Sequence, residues 1–247
     1  ININNFLFLY ILFSLVFYYI ENLDEYNNKL KKELKQRKEE MTQLAKKMNE
    51  LRTEYGKVLS ININKVLEDL EMKNANINIH VDYNEDEFFE NGKDVVEFYI
   101  TTNLGEDEKQ LSKIASGGEM SRIMLAIKKV LADTDKMPVL IFDEIDTGIS
   151  GRTAQKVSEK MDLTGRNHQV ICITPLPQIA AMADTHFLIE KTVESGRTTS
   201  KIHRLPQEES VAELARMLGG VSITETVLEN AKEMKELAQK QKNTRFK

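Results

Sequence analysis

The spacing of apolar positions changes along the chain, and each change predicts a different element. Phe6 to Ile20 is an apolar and aromatic run broken only by Ser14. From Leu23 to Val58 the period switches. Leu23, Tyr26, Leu30, Leu34, Arg37, Met41, Leu44, Met48, Leu51, Tyr55 and Val58 follow three- and four-residue steps, with charges filling the positions between. This is the heptad seam of a coiled coil, and the 4-4 step at Tyr26, Leu30 and Leu34 resembles a local stutter. Val66 to Met72 continues as helix. Ile77 to Val81 alternates like a strand, as does part of Val95 to Thr101, with Gly92 in a turn between them.

Further along, Met120, Ile123, Met124, Ile127, Val130 and Leu131 line one face of a helix over Glu119 to Leu131. Val139 to Phe142 is a short apolar run of the kind that forms a buried parallel strand. Arg152 to Met161 predicts a helix, Gln169 to Thr174 a strand and Leu176 to Ala183 a short helix. His186 to Lys191 and Thr198 to Leu205 predict a hairpin around Glu194-Ser195-Gly196-Arg197. Glu208 to Leu218 and Thr224 to Gln241 predict closing helices separated by Gly219-Gly220. The class is α/β. Three segments follow: residues 1–22, apolar; 23–60, a coiled-coil arm; and 61–247, an α/β lobe.

Composition narrows the chemistry. A length of 247 residues allows one or two domains with a core of normal size. The net charge of −5 and pI of about 5.6 exclude a global basic footprint for nucleic acid, so any such contact is local. The basic candidate is the end of the chain, with Lys232, Lys235, Lys240, Lys242, Arg245 and Lys247 against Glu233 and Glu236; a solvated helix is the plainer account of it. Cys172 stands alone, which fits a reducing compartment and a buried core thiol. His80, His168, His186 and His203 have no metal-ligand spacing.

Two motifs carry the chemistry. Ser116-Gly117-Gly118-Glu119 precedes the first of the helices beyond residue 100. Glycines let backbone approach a ligand, and the first amides of a helix lack intrahelical acceptors and favour an anion such as phosphate. Ser116 adds a hydroxyl that can cap the helix or donate to a phosphate oxygen. Asp143-Glu144 ends the apolar strand, where α/β sheets open onto ligands. Asp143 is the candidate for Mg²⁺, a cation that prefers oxygen ligands, and Glu144 is the candidate base. As neighbours on a strand the two are expected to face opposite ways. Each motif alone is commonly an ordinary cap or turn; together, with Gly118 and Asp143 25 residues apart, they form one half of an ATP site. No phosphate loop of the form G-x-x-x-x-G-K-[ST] occurs in the 247 residues.

The blocks Ile114-Ala115-Ser116-Gly117-Gly118-Glu119-Met120-Ser121-Arg122, Ile141 to Gly151 (I-F-D-E-I-D-T-G-I-S-G) and Leu176 to Asp184 (L-P-Q-I-A-A-M-A-D) resemble RecN, the family of bacterial SMC-like DNA repair ATPases. Val95 to Asn103 agrees more weakly. The resemblance covers roughly residues 24–242. It implies the C-terminal lobe of an ABC/SMC-type P-loop NTPase head, preceded by a long coiled-coil helix. It also implies ATP and Mg²⁺ as cofactors, the N-terminal half of the same head and a second copy as partners in an ATP sandwich, DNA as substrate in double-strand break repair, and a cytoplasmic, nucleoid-associated location. By resemblance, Ser116, Gly117, Gly118 and Glu119 are the signature that reaches the opposing ATP. Asp143 supports Mg²⁺, Glu144 is the catalytic base and Asp146 belongs to the loop coupling the two sites. One position departs: the family pattern T-H-L-P-Q reads Thr174-Pro175-Leu176-Pro177-Gln178 here, and proline carries neither an ionisable group nor an N–H.

The coil is then the returning arm of an antiparallel pair. The apolar run over Phe6 to Ile20 is shorter than the ~20 residues that span a bilayer, and no basic residue precedes it as in a signal peptide. It is expected to reflect truncated or mistranslated upstream sequence, with membrane attachment disfavoured. Two alternatives stand beside this expectation: a fragment of another SMC-like or ABC ATPase, against which the L-P-Q-I-A-A-M-A-D block weighs, and a non-catalytic membrane-tethered coiled-coil module.

Overall fold

A computed structural model describes residues 3–244 except 104, 115, 116, 133, 135, 195, 196 and 221. It is a mixed α/β structure introduced by one long helix, α1 (Ile3–Asp69). The apolar run, the heptad seam and the predicted extension therefore join without a break. The helix stops short of Met72, where Glu71 adopts φ 61°. Among the described residues no helix is long and apolar enough to cross a membrane. Among the described residues no second helix covers the seam: Leu30, Leu34, Leu44 and Tyr55 are exposed.

Two strands and a short third follow: β1 (Asn76–Tyr83), β2 (Asp94–Thr101) and β3 (Lys109–Gln110), ordered β1-β2-β3. Then come α2 (Gly117–Val130), β4 (Val139–Phe142), α3 (Gly151–Thr164), β5 (Gln169–Cys172), α4 (Pro177–Ala181), β6 (His186–Glu194), β7 (Arg197–Leu205), α5 (Gln207–Gly219) and α6 (Glu225–Thr244). Every element expected from the periodicity is present within a few residues; β3 and a 3-10 turn over Leu111–Lys113 are additional. The predicted hairpin forms as β6 and β7, paired antiparallel from His186↔Leu205 to Glu194↔Arg197; Ser195 and Gly196 at its tip lie outside the described residues.

The chain divides into two compact units. One comprises residues 1–56 and 80–96. In it, Arg52 and Asn49 of α1 hold Asp94 at 2.7 and 2.8 Å, and Lys93 is buried over the Phe88 ring, with its ammonium donating to the Glu85 carbonyl. The other comprises residues 57–79 and 97–247 and contains the main core. Ile63, Leu67 and Leu70 meet Ile77 and Ile100 there, together with Ile123, Leu125 and Ala126 of α2, Leu140 and Phe142 of β4, and Ala154 and Val157 of α3. A second cluster joins Ala180 and Ala181 to Leu214, Ala215 and Ala231.

β4 and β5 pair in parallel with Val139 opposite Gln169 and Phe142 opposite Cys172. The expectation of a fully buried strand is half met. Leu140 and Phe142 enter the core, whereas Val139 and Ile141 face outward, Ile141 at 67 % exposure. Ile171 and Ile173 are exposed as well. Helices α2 and α3 share a core with only one face of this two-stranded sheet.

Candidate functional site

The site is assembled where β4 and β5 end and α2 begins. Apolar residues carry β4 as far as Phe142, and the chain then turns. The Asp143 carboxylate accepts the Glu144 N–H at 3.0 Å, while the Asp143 carbonyl accepts the Ser121 hydroxyl of α2 at 2.9 Å. Glu144 sits at φ 57°, in the left-handed region that non-glycine residues seldom occupy. Backbone strain of this kind, of order 1–3 kcal/mol, persists where surrounding contacts over-determine it. Thr147 N–H closes the turn on the Glu144 carbonyl at 3.0 Å. Asp143 and Glu144 thus lie beyond the strand, which ends at Phe142, and Glu144 belongs to the turn. The strand pleat expected to set their directions therefore does not extend to them.

Both carboxylates are exposed, and Glu144 lies against the start of α2. A methyl placed on Gly117 would sit 2.3 Å from Glu144 Oε2, and one on Gly118 would sit 2.8 Å from Thr147 Cβ and 3.0 and 3.1 Å from the Thr147 and Glu144 carbonyl oxygens. The two glycines are therefore needed for different reasons. Gly118 lets the backbone of α2 seat on the turn, and Gly117 leaves room for the Glu144 carboxylate. Gly118→Ala is expected to lower stability by about 1–2 kcal/mol, since rigid backbone atoms oppose the methyl and exceed alanine's helical advantage. Gly117→Ala meets only the mobile end of a side chain and is expected to cost under about 0.5 kcal/mol. Urea unfolding of both variants checks this; equal losses would mean that α2 does not seat on the turn as described. Ser116 lies outside the described residues. Glu119 is half-buried in the first turn of α2.

Asp146 points inward and is buried. It accepts the Thr174 hydroxyl, whose oxygen in turn accepts the Leu176 N–H at 3.0 Å. One side chain thus fastens the turn after β4 to the bend after β5. Ile173 N–H extends the ladder to the Phe142 carbonyl at 3.0 Å, and Pro175 follows, exposed on the bend.

Arg122, within the signature block, holds α2 to the turn after β4. It is buried in α2 and donates to the Ile145 carbonyl at 3.2 Å and the Thr147 carbonyl at 2.9 Å. Burial pushes its guanidinium below the ordinary value, while Glu119 and Asp146 nearby act the other way. The buried face of α2 includes Gly118, Arg122, Leu125 and Ala126, and Met120 and Met124 are only half-buried. The available signal was a charge four residues after a glycine that the turn requires. Cys172, beside this site, has its thiol pushed up to about 12 by burial and then by Asp146 and Asp143, so it stays protonated and inert near neutral pH.

Among the described residues no three His, Cys, Asp or Glu side chains cluster closely enough to hold a metal ion. Asp143 at the end of β4 is an exposed carboxylate, the kind of oxygen donor that could hold a Mg²⁺ ion.

Comparison with known proteins places these blocks in context. No family model matches the chain. The DNA repair protein RecN of Bacillus subtilis is 40% identical over 239 residues, covering 91% of this chain and 42% of that protein. RecN of Halalkalibacterium halodurans is 52% identical over 151 residues, 61% of this chain and 27% of the relative. RecN of Vibrio cholerae is 40% identical over 190 residues, 77% and 34%. The chain spans less than half the length of each of these relatives. Among solved structures, the Smc head domain with a coiled coil and joint from Pyrococcus yayanosii overlaps 66% of this chain and 29% of that one, at 22% identity and a TM-score of 0.48.

Proposed function

Because this chain is RecN-family sequence over the part it spans, we propose that it forms the C-terminal lobe of an ABC/SMC-type ATPase head acting in DNA double-strand break repair and recombination. The observation that carries this is local: the signature glycines and the Asp143–Asp146 turn, distant in sequence, pack into one wall with both leading carboxylates exposed. Such a wall is suited to work on a phosphate from two sides. The amides at the start of α2 serve the ATP of an opposing head, and Ser116 belongs to the same signature by resemblance. Asp143 holds Mg²⁺, which when bound supplies a Lewis acid for the phosphate oxygens. Glu144 takes the proton of the water that attacks the γ-phosphate. Asp146, through Thr174, couples the two loops that border the nucleotide.

The rest of the ATP site is supplied by a phosphate-loop half of the same head. The outward face of β4 and β5 supports this: Val139, Ile141, Ile171 and Ile173 offer an apolar surface of the kind that another layer of an α/β sheet covers. A second copy then closes the ATP sandwich, DNA is the substrate, and the location is cytoplasmic, beside the nucleoid.

Co-purification with a phosphate-loop half from a RecN relative tests this. The pair is expected to hydrolyse ATP, this chain alone is not, and Glu144→Gln in the pair is expected to abolish turnover. A phosphate-loop lysine and its amide cradle supply much of the affinity that the isolated chain lacks. Turnover by the pair that survives Glu144→Gln would remove Glu144 from the role of base.

A further inference from the structure

Apart from the glycines and carboxylates of that wall, the C-terminal elements enclose a polar cleft of about 420 Å³. Three cations line it, Arg204 from β7 and Lys235 and Lys242 from α6. From sequence, the two lysines belong to a solvated basic tail; the structure turns them inward. Lys235 Nζ donates to the Ala181 and Ala183 carbonyls at 3.0 Å each. An ammonium has three N–H bonds, so one is left over, and among the described residues no carboxylate pairs with it. Lys242 Nζ lies 3.5 Å from Asp162, which is largely buried, and 2.5 Å from Asp184, whose side chain is 90 % exposed. Asp162 is therefore the built-in partner of Lys242, and Asp184 reaches in from solvent.

We propose that this cleft binds a phosphoryl group, and that the Asp184 carboxylate occupies the place of one of its oxygens. An arriving phosphate displaces Asp184 into water and accepts N–H bonds from Lys242, Lys235 and Arg204 together. Donors converging from two elements match a group with several anionic oxygens better than they match one carboxylate. Displacement is cheap because an ion pair with so exposed a carboxylate contributes little. The cations are also crowded: burial first, and then Lys242, push the Lys235 ammonium below its ordinary value, with Asp184 acting the other way. An anion in the cleft relieves that repulsion. The proposal holds whether or not the ATPase reading does, because no residue lining the cleft belongs to the signature or to the Asp143–Asp146 turn.

The phosphoryl group can come from a small free phosphate or from a nucleic-acid backbone. Isothermal titration calorimetry on the full chain, with pyrophosphate in one arm and a short single-stranded DNA oligonucleotide in the other, separates the two. Asp184→Asn is expected to bind about two- to five-fold more tightly than the unmodified chain, the worth of the competing pair. Arg204→Gln and Lys235→Gln are each expected to lose about five-fold or more, since each removes one charge-assisted bond. That order in the pyrophosphate arm establishes a free-phosphate site; that order with the oligonucleotide alone establishes a backbone site. Asp184 and Arg204 are exposed, so their variants decide the question even if Lys235→Gln disturbs the α4 contact. Equal affinity in all the proteins, or no saturable uptake in either arm, overturns the proposal.

Discussion

Replacing Pro175 by histidine is expected to raise single-turnover ATP hydrolysis at least ten-fold in a head rebuilt from this chain and a phosphate-loop half. Position 175 follows Thr174, whose hydroxyl is tied to Asp146, so a side chain there starts from a fixed point beside the β4 turn. The resemblance to RecN places a histidine at this position. An imidazole could hydrogen-bond the γ-phosphate and hold the attacking water against Glu144, and one such positioned contact is worth ~10²–10³-fold in rate. The contact strengthens in the transition state, so ATP affinity is expected to stay within about two-fold. Loss of the proline is expected to cost at most about 1 kcal/mol through the freedom of the unfolded chain. Equal rates with proline and histidine would mean that Pro175 is no catalytic lesion.

Asp146→Ala is expected to destabilise the chain by about 3 kcal/mol, the largest stability effect foreseen at the site. The substitution takes the acceptor from the Thr174 hydroxyl and removes a negative charge near the buried Arg122 guanidinium. A buried charge left with fewer opposite charges around it and an orphaned hydroxyl are each costly. Asp146→Asn keeps an acceptor for Thr174 and is expected to recover part of the loss. The shift in urea midpoint at unchanged slope measures both. A loss below about 1 kcal/mol for the alanine variant would show that the two bends are held together by something other than Asp146.

Much of the fold was legible because its periods are clean. Val139 to Phe142 is bounded by Pro138 and Asp143, and the strand takes those limits. The unbroken helix through Ile3–Asp69 was not legible in its first part, because a continuously apolar run carries no period to read. At the site, the left-handed turn at Glu144 was invisible to a rule of alternation carried two residues past the end of its strand. Arg122 and Lys235 were hidden for one shared reason. A charge on a helix is counted as solvated unless its acceptors are known, and here the acceptors are backbone carbonyls, which leave no mark in side-chain patterns.

The outward face of β4 and β5 has a further consequence for the molecule as a colloid. Its isoleucines sit on a two-stranded sheet whose outer edges are unpaired among the described residues. Bare edges beside bare apolar surface are templates for self-association. Solubility, not folding, is therefore expected to limit how concentrated this chain can be kept, and the net charge of −5 gives only modest repulsion against it. The scattering mass should climb with concentration, and replacing Ile141 by lysine, which places a charge in the middle of the face, should flatten that climb while leaving the core beneath untouched.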